Sequence, residues 1–150
     1  LAERATHFAS RLNGIHALIG GQYLDLYEEN LDRKKIYEII EKKTASLFQL
    51  SFLLGYLFGG GEQDKLKQVE EVGFHFGAAC QILDDLDDME KDRAAGKKAN
   101  FALLFSKEEA VQAVQEHVLQ FQQGLSALGL ESQPLSLLAD GMSRLASTYN

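Results

Sequence analysis

The chain has 150 residues, 45% of them hydrophobic and 25% charged, enough to bury one domain's core and too apolar for a disordered tail. Its 22 acidic side chains against 15 basic ones give a formal net charge of -7, which argues against a nucleic-acid polyanion as the main partner and fits metal cations better. A single cysteine, Cys80, excludes an internal disulfide, and the longest apolar stretch, Leu47 to Phe58, is broken by Gln49 and Ser51 and too short to cross a bilayer; a reducing, cytoplasmic setting is expected.

Apolar residues recur at helical spacing and nowhere alternate with period two, so the expected fold is all-α and residues 1–150 read as a single unit. The chain opens at Leu1, in what reads as mid-helix, and a preceding portion is expected. A first helix is predicted from Glu3 to Leu26. A second starts after Asp32 as N-cap, with Ile36, Ile39, Ile40, Leu47, Leu50, Leu54 and Leu57 on one stripe, and stops at Gly59-Gly60-Gly61. Phe48, Phe52 and Tyr56 make its other face apolar too, which predicts a central place in the bundle. The third helix, Glu62 to Asp92, is expected to be about 45 Å long at 1.5 Å per residue. After a break at Ala94-Ala95-Gly96 comes a short apolar segment, Asn100 to Phe105. Ser106 and Glu109 form a capping-box pattern for a fourth helix ending at Gly129, and Pro134 opens the last.

The third helix carries the chemistry. Six acids stand within the nine residues from Asp84 to Asp92. At 100° per residue Asp84 and Asp88 lie about 40° apart and Asp85 about 60° from Asp88, so three carboxylates share one side. Like charges at that spacing repel, and either exposure to water or a nearby cation makes the arrangement acceptable. Hard oxygen donors without histidine or cysteine beside them select magnesium or manganese, and magnesium commonly takes substrate phosphates as remaining ligands. Tracing the same face backward gives Gln81, Cys80, Gly77 and Gly73, a line that reads either as a cleft wall or as close helix packing. Lys43 places an ammonium on the apolar stripe of the second helix, either as a snorkelling stem or to meet a buried phosphate oxygen, with the Thr44 hydroxyl beside it. Gly14, Ala17 and Gly21 form a small-residue line ending in Asp25, with Gln22 alongside. Gly96-Lys97-Lys98 follows the acidic run, so that a cation can fold back over an anion held there.

Taken in order, Gly20-Gly21-Gln22-Tyr23-Leu24-Asp25-Leu26, Lys43-Thr44, Gln81 to Asp88, and Gly96-Lys97 resemble the trans-isoprenyl diphosphate synthases, the family of farnesyl and geranylgeranyl diphosphate synthases. The resemblance covers about residues 12–105 with specific motifs and the remainder as helices. It implies the carboxyl-terminal half of the isoprenoid synthase helical bundle, and an enzyme that condenses an allylic diphosphate with isopentenyl diphosphate with the help of Mg2+ or Mn2+. By the same resemblance Asp84, Asp85 and Asp88 are magnesium ligands, and Lys43 and Lys97 hold the diphosphate. Thr44 and Gln81 stabilise the developing allylic cation, and Gln22 and Asp25 line the cavity. A homodimer is expected for the full-length protein. The first aspartate-rich motif and the groups that hold isopentenyl diphosphate have no match in this chain, so the isolated chain is expected to be inactive. Cys80 stands where phenylalanine is common, and the loop after the motif holds one Gly-Lys where many members have two. The alternatives are a non-catalytic regulatory or binding subunit of a heteromeric synthase and a terpene cyclase on the same fold; the Gly-Gln, Lys-Thr and Gly-Lys set fits a chain elongator better.

Overall fold

A computed structural model describes residues 1–149. They form nine α-helices: α1 (Ala2–Asn13), α2 (Leu18–Tyr27), α3 (Arg33–Ile40), α4 (Ser46–Phe58), α5 (Leu66–Asp87), α6 (Met89–Ala95), α7 (Phe101–Leu104), α8 (Lys107–Leu128) and α9 (Gln133–Ser147). The described residues contain no strand, as the sequence pattern requires. None of these helices is long and apolar enough to cross a membrane.

The bundle is built around α5, which packs on α4 along one side and α8 along the other, with α3, α7 and α9 also against it. Val69, Val72, Ala78, Ala79, Ile82 and Leu86 of α5 are buried against Ile36, Ile40, Leu53, Phe101, Val114 and Phe121. The central element is α5, within the third predicted helix; α4, also expected to sit centrally, turns Leu47, Ser51, Gly55 and Phe58 to solvent. Gly73 and Gly77 explain how closely α4 approaches. A Cβ on Gly73 would lie 2.7 Å from the Gln49 Cα, and one on Gly77 2.6 Å from the Ala45 Cα. At Gly73 and Gly77 the small-residue line behind the aspartates is thus a packing seam.

Three predicted helices are interrupted. The first breaks after Asn13, where Gly14 leaves helical geometry and α2 restarts at Leu18. The third ends at Asp87, and α6 starts anew at Met89. In the second, α3 passes into α4 through one π-helical turn, Glu41–Ala45. The buried line runs Ile36, Ile40, Ala45, Gln49, Leu53, Leu57: steps of four with a single step of five, the signature of one extra residue in the turn. Leu47 accordingly falls outside the stripe expected of it, at 43% exposure.

Caps follow the sequence closely. The Asp32 carboxylate accepts from the Lys35 N–H at 2.7 Å, Ser106 accepts from the Glu109 N–H at 3.0 Å, and Gly96 and Gly129 end their helices with φ of 68° and 65°, backbone that glycine adopts without penalty. Glu109 does not complete its capping box; its carboxylate pairs with Arg33 instead, tying the start of α8 to that of α3.

Where α5 meets α8, the Nδ1 atoms of His75 and His117 lie 2.9 Å apart, a bond that needs one nitrogen protonated and the other bare. Burial and the neighbouring imidazole push His117 down to about 4, and burial lowers His75 as well. Above pH 6.5 both rings are neutral whether or not the chain is folded. Below it the unfolded chain takes up protons that the folded pair refuses, so stability is lost as pH falls toward 4. The pair's own contribution to that loss is roughly 2–3 kcal/mol between pH 7 and pH 4, read as the difference in urea-midpoint slope between wild type and His117→Phe, in which carboxylates common to both chains cancel; equal slopes in the two chains would show that the pair contributes nothing.

Candidate active site

The π turn sets the site. It carries Lys43 and Thr44, and α2 lies so close to it that a Cβ on Gly21 would stand 2.3 Å from the Lys43 backbone nitrogen and 2.6 Å from the Lys42 carbonyl carbon. That approach brings Asp25, one helical turn beyond Gly21, onto Lys43: Nζ to Oδ2 is 2.6 Å, with the aspartate side chain 8% exposed and the lysine's 23%. Lys43 is therefore neither free nor merely snorkelling. Lys42, on the other face, pairs with Glu38 at 2.6 Å.

Across from this pair stands the end of α5. The Thr44 hydroxyl donates to Gln81 Oε1 at 2.5 Å, and the Gln81 amide nitrogen donates to Asp85 Oδ1 at 2.9 Å. The second oxygen of Asp85 accepts from the Phe101 N–H at 2.8 Å. Asp25, Lys43, Gln81 and Asp85 line one small hollow, closed by Ile36, Ile39, Ile40 and Ala99. A larger hollow of about 530 Å³, bounded by Phe52, Tyr56, Val69, Leu125 and Leu135, shares none of these residues and has no charged side chain, so it offers an anion nothing.

The loop after α6 folds back as the sequence implied, held by a residue that periodicity did not single out. Asn100, fully buried, donates to the Asp85 carbonyl at 2.8 Å and to Asp92 Oδ2 at 2.9 Å, and its own Oδ1 accepts from the Leu103 N–H at 3.0 Å. Lys97 joins the same Asp92 oxygen at 2.9 Å. Burial works against both charges, yet the Asn100 and Lys97 bonds hold Asp92 below its ordinary value. The Asp92 bond and the charges of Asp85, Asp92 and Asp25 keep Lys97 above its own. The nearest sequence signal for Asn100 was its helix-capping residue type before a short apolar run.

The three expected metal carboxylates part company. Asp84 is exposed, Asp88 is half-buried with both oxygens facing Lys91 at 3.0 and 3.2 Å, and Asp85 is 2% exposed. Burial pushes Asp85 up to about 6, opposed by the Phe101 N–H, the Gln81 amide and Lys97. Among the described residues no three acidic, histidine or cysteine side chains converge as a ready metal cage. The Asp88 N–H still closes on the Asp84 carbonyl at 2.9 Å, so Asp84 and Asp88 stay one turn apart, while Asp85 turns inward to the Phe101 N–H. Gln22 is exposed one turn before Asp25. The structure thus gathers Asp25, Lys43, Thr44, Gln81, Asp85 and Lys97, and leaves Gln22, Asp84 and Asp88 at the surface.

The family model described as Polyprenyl synthetase matches residues 5–102. The heterodimeric geranylgeranyl pyrophosphate synthase large subunit 1, chloroplastic, of Arabidopsis thaliana is 31% identical over 110 residues, 69% of this chain and 30% of its own length. A short chain isoprenyl diphosphate synthase of Methanothermobacter thermautotrophicus is 38% identical over 81 residues, 51% of this chain and 25% of its own. In fold, a geranyltransferase from Helicobacter pylori 26695 superposes with a TM-score of 0.73 at 27% identity, over 97% of this chain and 49% of that one. The chain thus spans about a third or less of the two sequence relatives and half of the solved structure.

Gly21→Ala is expected to destabilise the chain by about 1–3 kcal/mol, because its methyl group meets backbone and not a movable side chain. A urea midpoint equal to wild type would show that α2 does not need this approach.

Proposed function

Because the chain belongs to the polyprenyl synthetase family, we propose that it is the diphosphate-gripping half of a prenyltransferase that joins an allylic diphosphate to isopentenyl diphosphate. The observation that carries this reading is the meeting of Lys43, Thr44 and Gln81 on one side of a hollow with Asp25 and Asp85, three separate sequence motifs brought to one place.

In the reaction the allylic carbon–oxygen bond breaks and its electron pair leaves on the diphosphate. The isopentenyl double bond attacks the carbon so freed, and loss of a proton restores a double bond in the lengthened chain. Lys43 and Lys97 are cations poised to receive diphosphate oxygens. Asp25 holds the Lys43 ammonium until the anion arrives, and Asp92 does the same for Lys97. The Thr44 hydroxyl hydrogen is committed to Gln81, so its lone pairs remain free to face positive charge. Fixed oxygen dipoles of this kind lower the barrier to ionisation without reorganising during it. Gln22, exposed beside Asp25, is placed to meet substrate.

Asp84 and Asp88 suit magnesium or manganese: hard oxygens one turn apart, in keeping with a metal bound through one or two carboxylates, waters and substrate phosphates. Bound there, the ion would neutralise the departing diphosphate. The reading places the protein in the cytoplasm, where Cys80 stays reduced, and assembles it as a homodimer. A non-catalytic subunit should not need the exposed carboxylates, and all three motif aspartates and Lys43 remain, which is what favours the enzyme.

Residues 1–150 alone are expected to give no measurable incorporation of labelled isopentenyl diphosphate into an allylic product; activity of the isolated chain would overturn that expectation. When the chain is joined to the remaining half of such a fold, Lys43→Ala and Asp84→Ala should each lower kcat by about 10²–10³, with Asp84→Ala partly recovered by excess magnesium. Undiminished turnover of Asp84→Ala at limiting magnesium would remove Asp84 from the metal site.

A further inference from the structure

We propose that Asp85 is a positioning residue that fixes which way the Gln81 amide points, and that it does not ligate the metal; this rests on the functional reading above. A carboxylate only accepts hydrogen bonds, whereas a primary amide accepts at one end and donates at the other. Asp85 Oδ1 therefore draws the Gln81 nitrogen toward itself at 2.9 Å, and the amide oxygen is left to face Thr44. With the other oxygen taken by the Phe101 N–H at 2.8 Å and the residue 2% exposed, each Asp85 oxygen already holds a donor and bulk water does not reach them, so ligating a metal would mean giving up one of these bonds. Asn100 keeps that arrangement in register. It holds the Asp85 carbonyl and caps α7, so the Phe101 N–H stays aimed at the carboxylate. Asp84, next in sequence, is exposed and free of such bonds.

An isosteric change separates positioning from ligation. In Asp85→Asn the Phe101 N–H still demands an acceptor, so the introduced amide must turn its oxygen there and its nitrogen toward Gln81. Gln81 must then flip, offering N–H to Thr44 where it had offered oxygen. Volume and backbone are unchanged; only the dipole facing the reacting carbon reverses.

The first test needs no turnover. The nuclear Overhauser contact between the Gln81 amide protons and the Thr44 methyl should be several-fold stronger in Asp85→Asn than in the wild-type chain; equal intensity in the two would overturn the flip. Titration with Mn2+ in the presence of inorganic diphosphate should give Asp85→Asn an affinity within twofold of wild type and Asp84→Asn at least tenfold weaker. Equal weakening by both would make Asp85 a ligand and sink the proposal. Should wild type bind no Mn2+ at all, the functional reading fails, and the amide contacts still decide the role of Asp85. In the assembled synthase Asp85→Asn should lower kcat about a hundredfold with KM within threefold, and adding Gln81→Glu, which returns an oxygen to Thr44, should recover at least tenfold; no recovery counts against the amide's polarity as the cause. If Asp85→Asn does not fold, a wild-type crystal structure with magnesium and diphosphate settles the point: Asp85 still on the Phe101 N–H supports the proposal, and an Asp85 oxygen at about 2.1 Å from the metal refutes it.

Discussion

An ionised carboxylate taken out of water must be met by donors or it will not stay ionised. At the end of α5 that requirement falls on Asp85, and the surrounding structure is arranged to satisfy it: a backbone N–H from α7, an amide from one turn back, and Lys97 within electrostatic reach. Among the described residues no buried side-chain nitrogen or oxygen lacks a partner. Remove the carboxylate's donors and the consequences spread in two directions, into the Gln81–Thr44 contact and into the loop carrying Lys97. A single desolvated charge thus couples the helix that carries the site to the segment that closes over it.

The opposite wall is organised by sterics. Gly21, Gly73 and Gly77 let α2, the π turn, α4 and α5 approach to backbone contact, and such closeness brings Asp25 onto Lys43. Both lysines that would meet diphosphate already hold an aspartate, at 2.6 Å for Lys43 and 2.9 Å for Lys97. The pairs are partly buried, where a charge without a partner costs more than an exposed pair gains. Anion binding at either lysine is therefore an exchange of partners, with an aspartate released for each lysine engaged.

Much of this was legible beforehand. The all-helical class, the caps at Asp32 and Ser106 and the stop at Gly129 follow from residue type and spacing, because local hydrogen bonding and periodic burial are encoded locally; the grouping of Asp25, Lys43, Thr44, Gln81 and Lys97 came from resemblance to a family. What escaped was whatever depends on a partner far along the chain. Asn100 looks like an ordinary loop residue until Asp85 and Asp92 stand beside it; Glu109 looks like half of a capping box until Arg33 takes it. Asp85 was grouped with Asp84 and Asp88 because an ideal helix puts all three together, yet its inward face belongs to α7, sixteen residues later.

The five-step turn between Ile40 and Ala45 has a consequence for how this segment tolerates change. A fixed 3.6-residue rhythm would leave α3 and α4 a continuous rod with one greasy edge; the supernumerary residue rotates everything after it, so the bases of Lys43 and Thr44 are presented by winding rather than by composition. Amino acids on the outer surface there are free to drift, while the spacing is not: losing one position would swing the whole downstream helix about its axis and carry Leu53 and Leu57 out of the interior. Along this stretch the count of residues, more than their identity, carries the structural information.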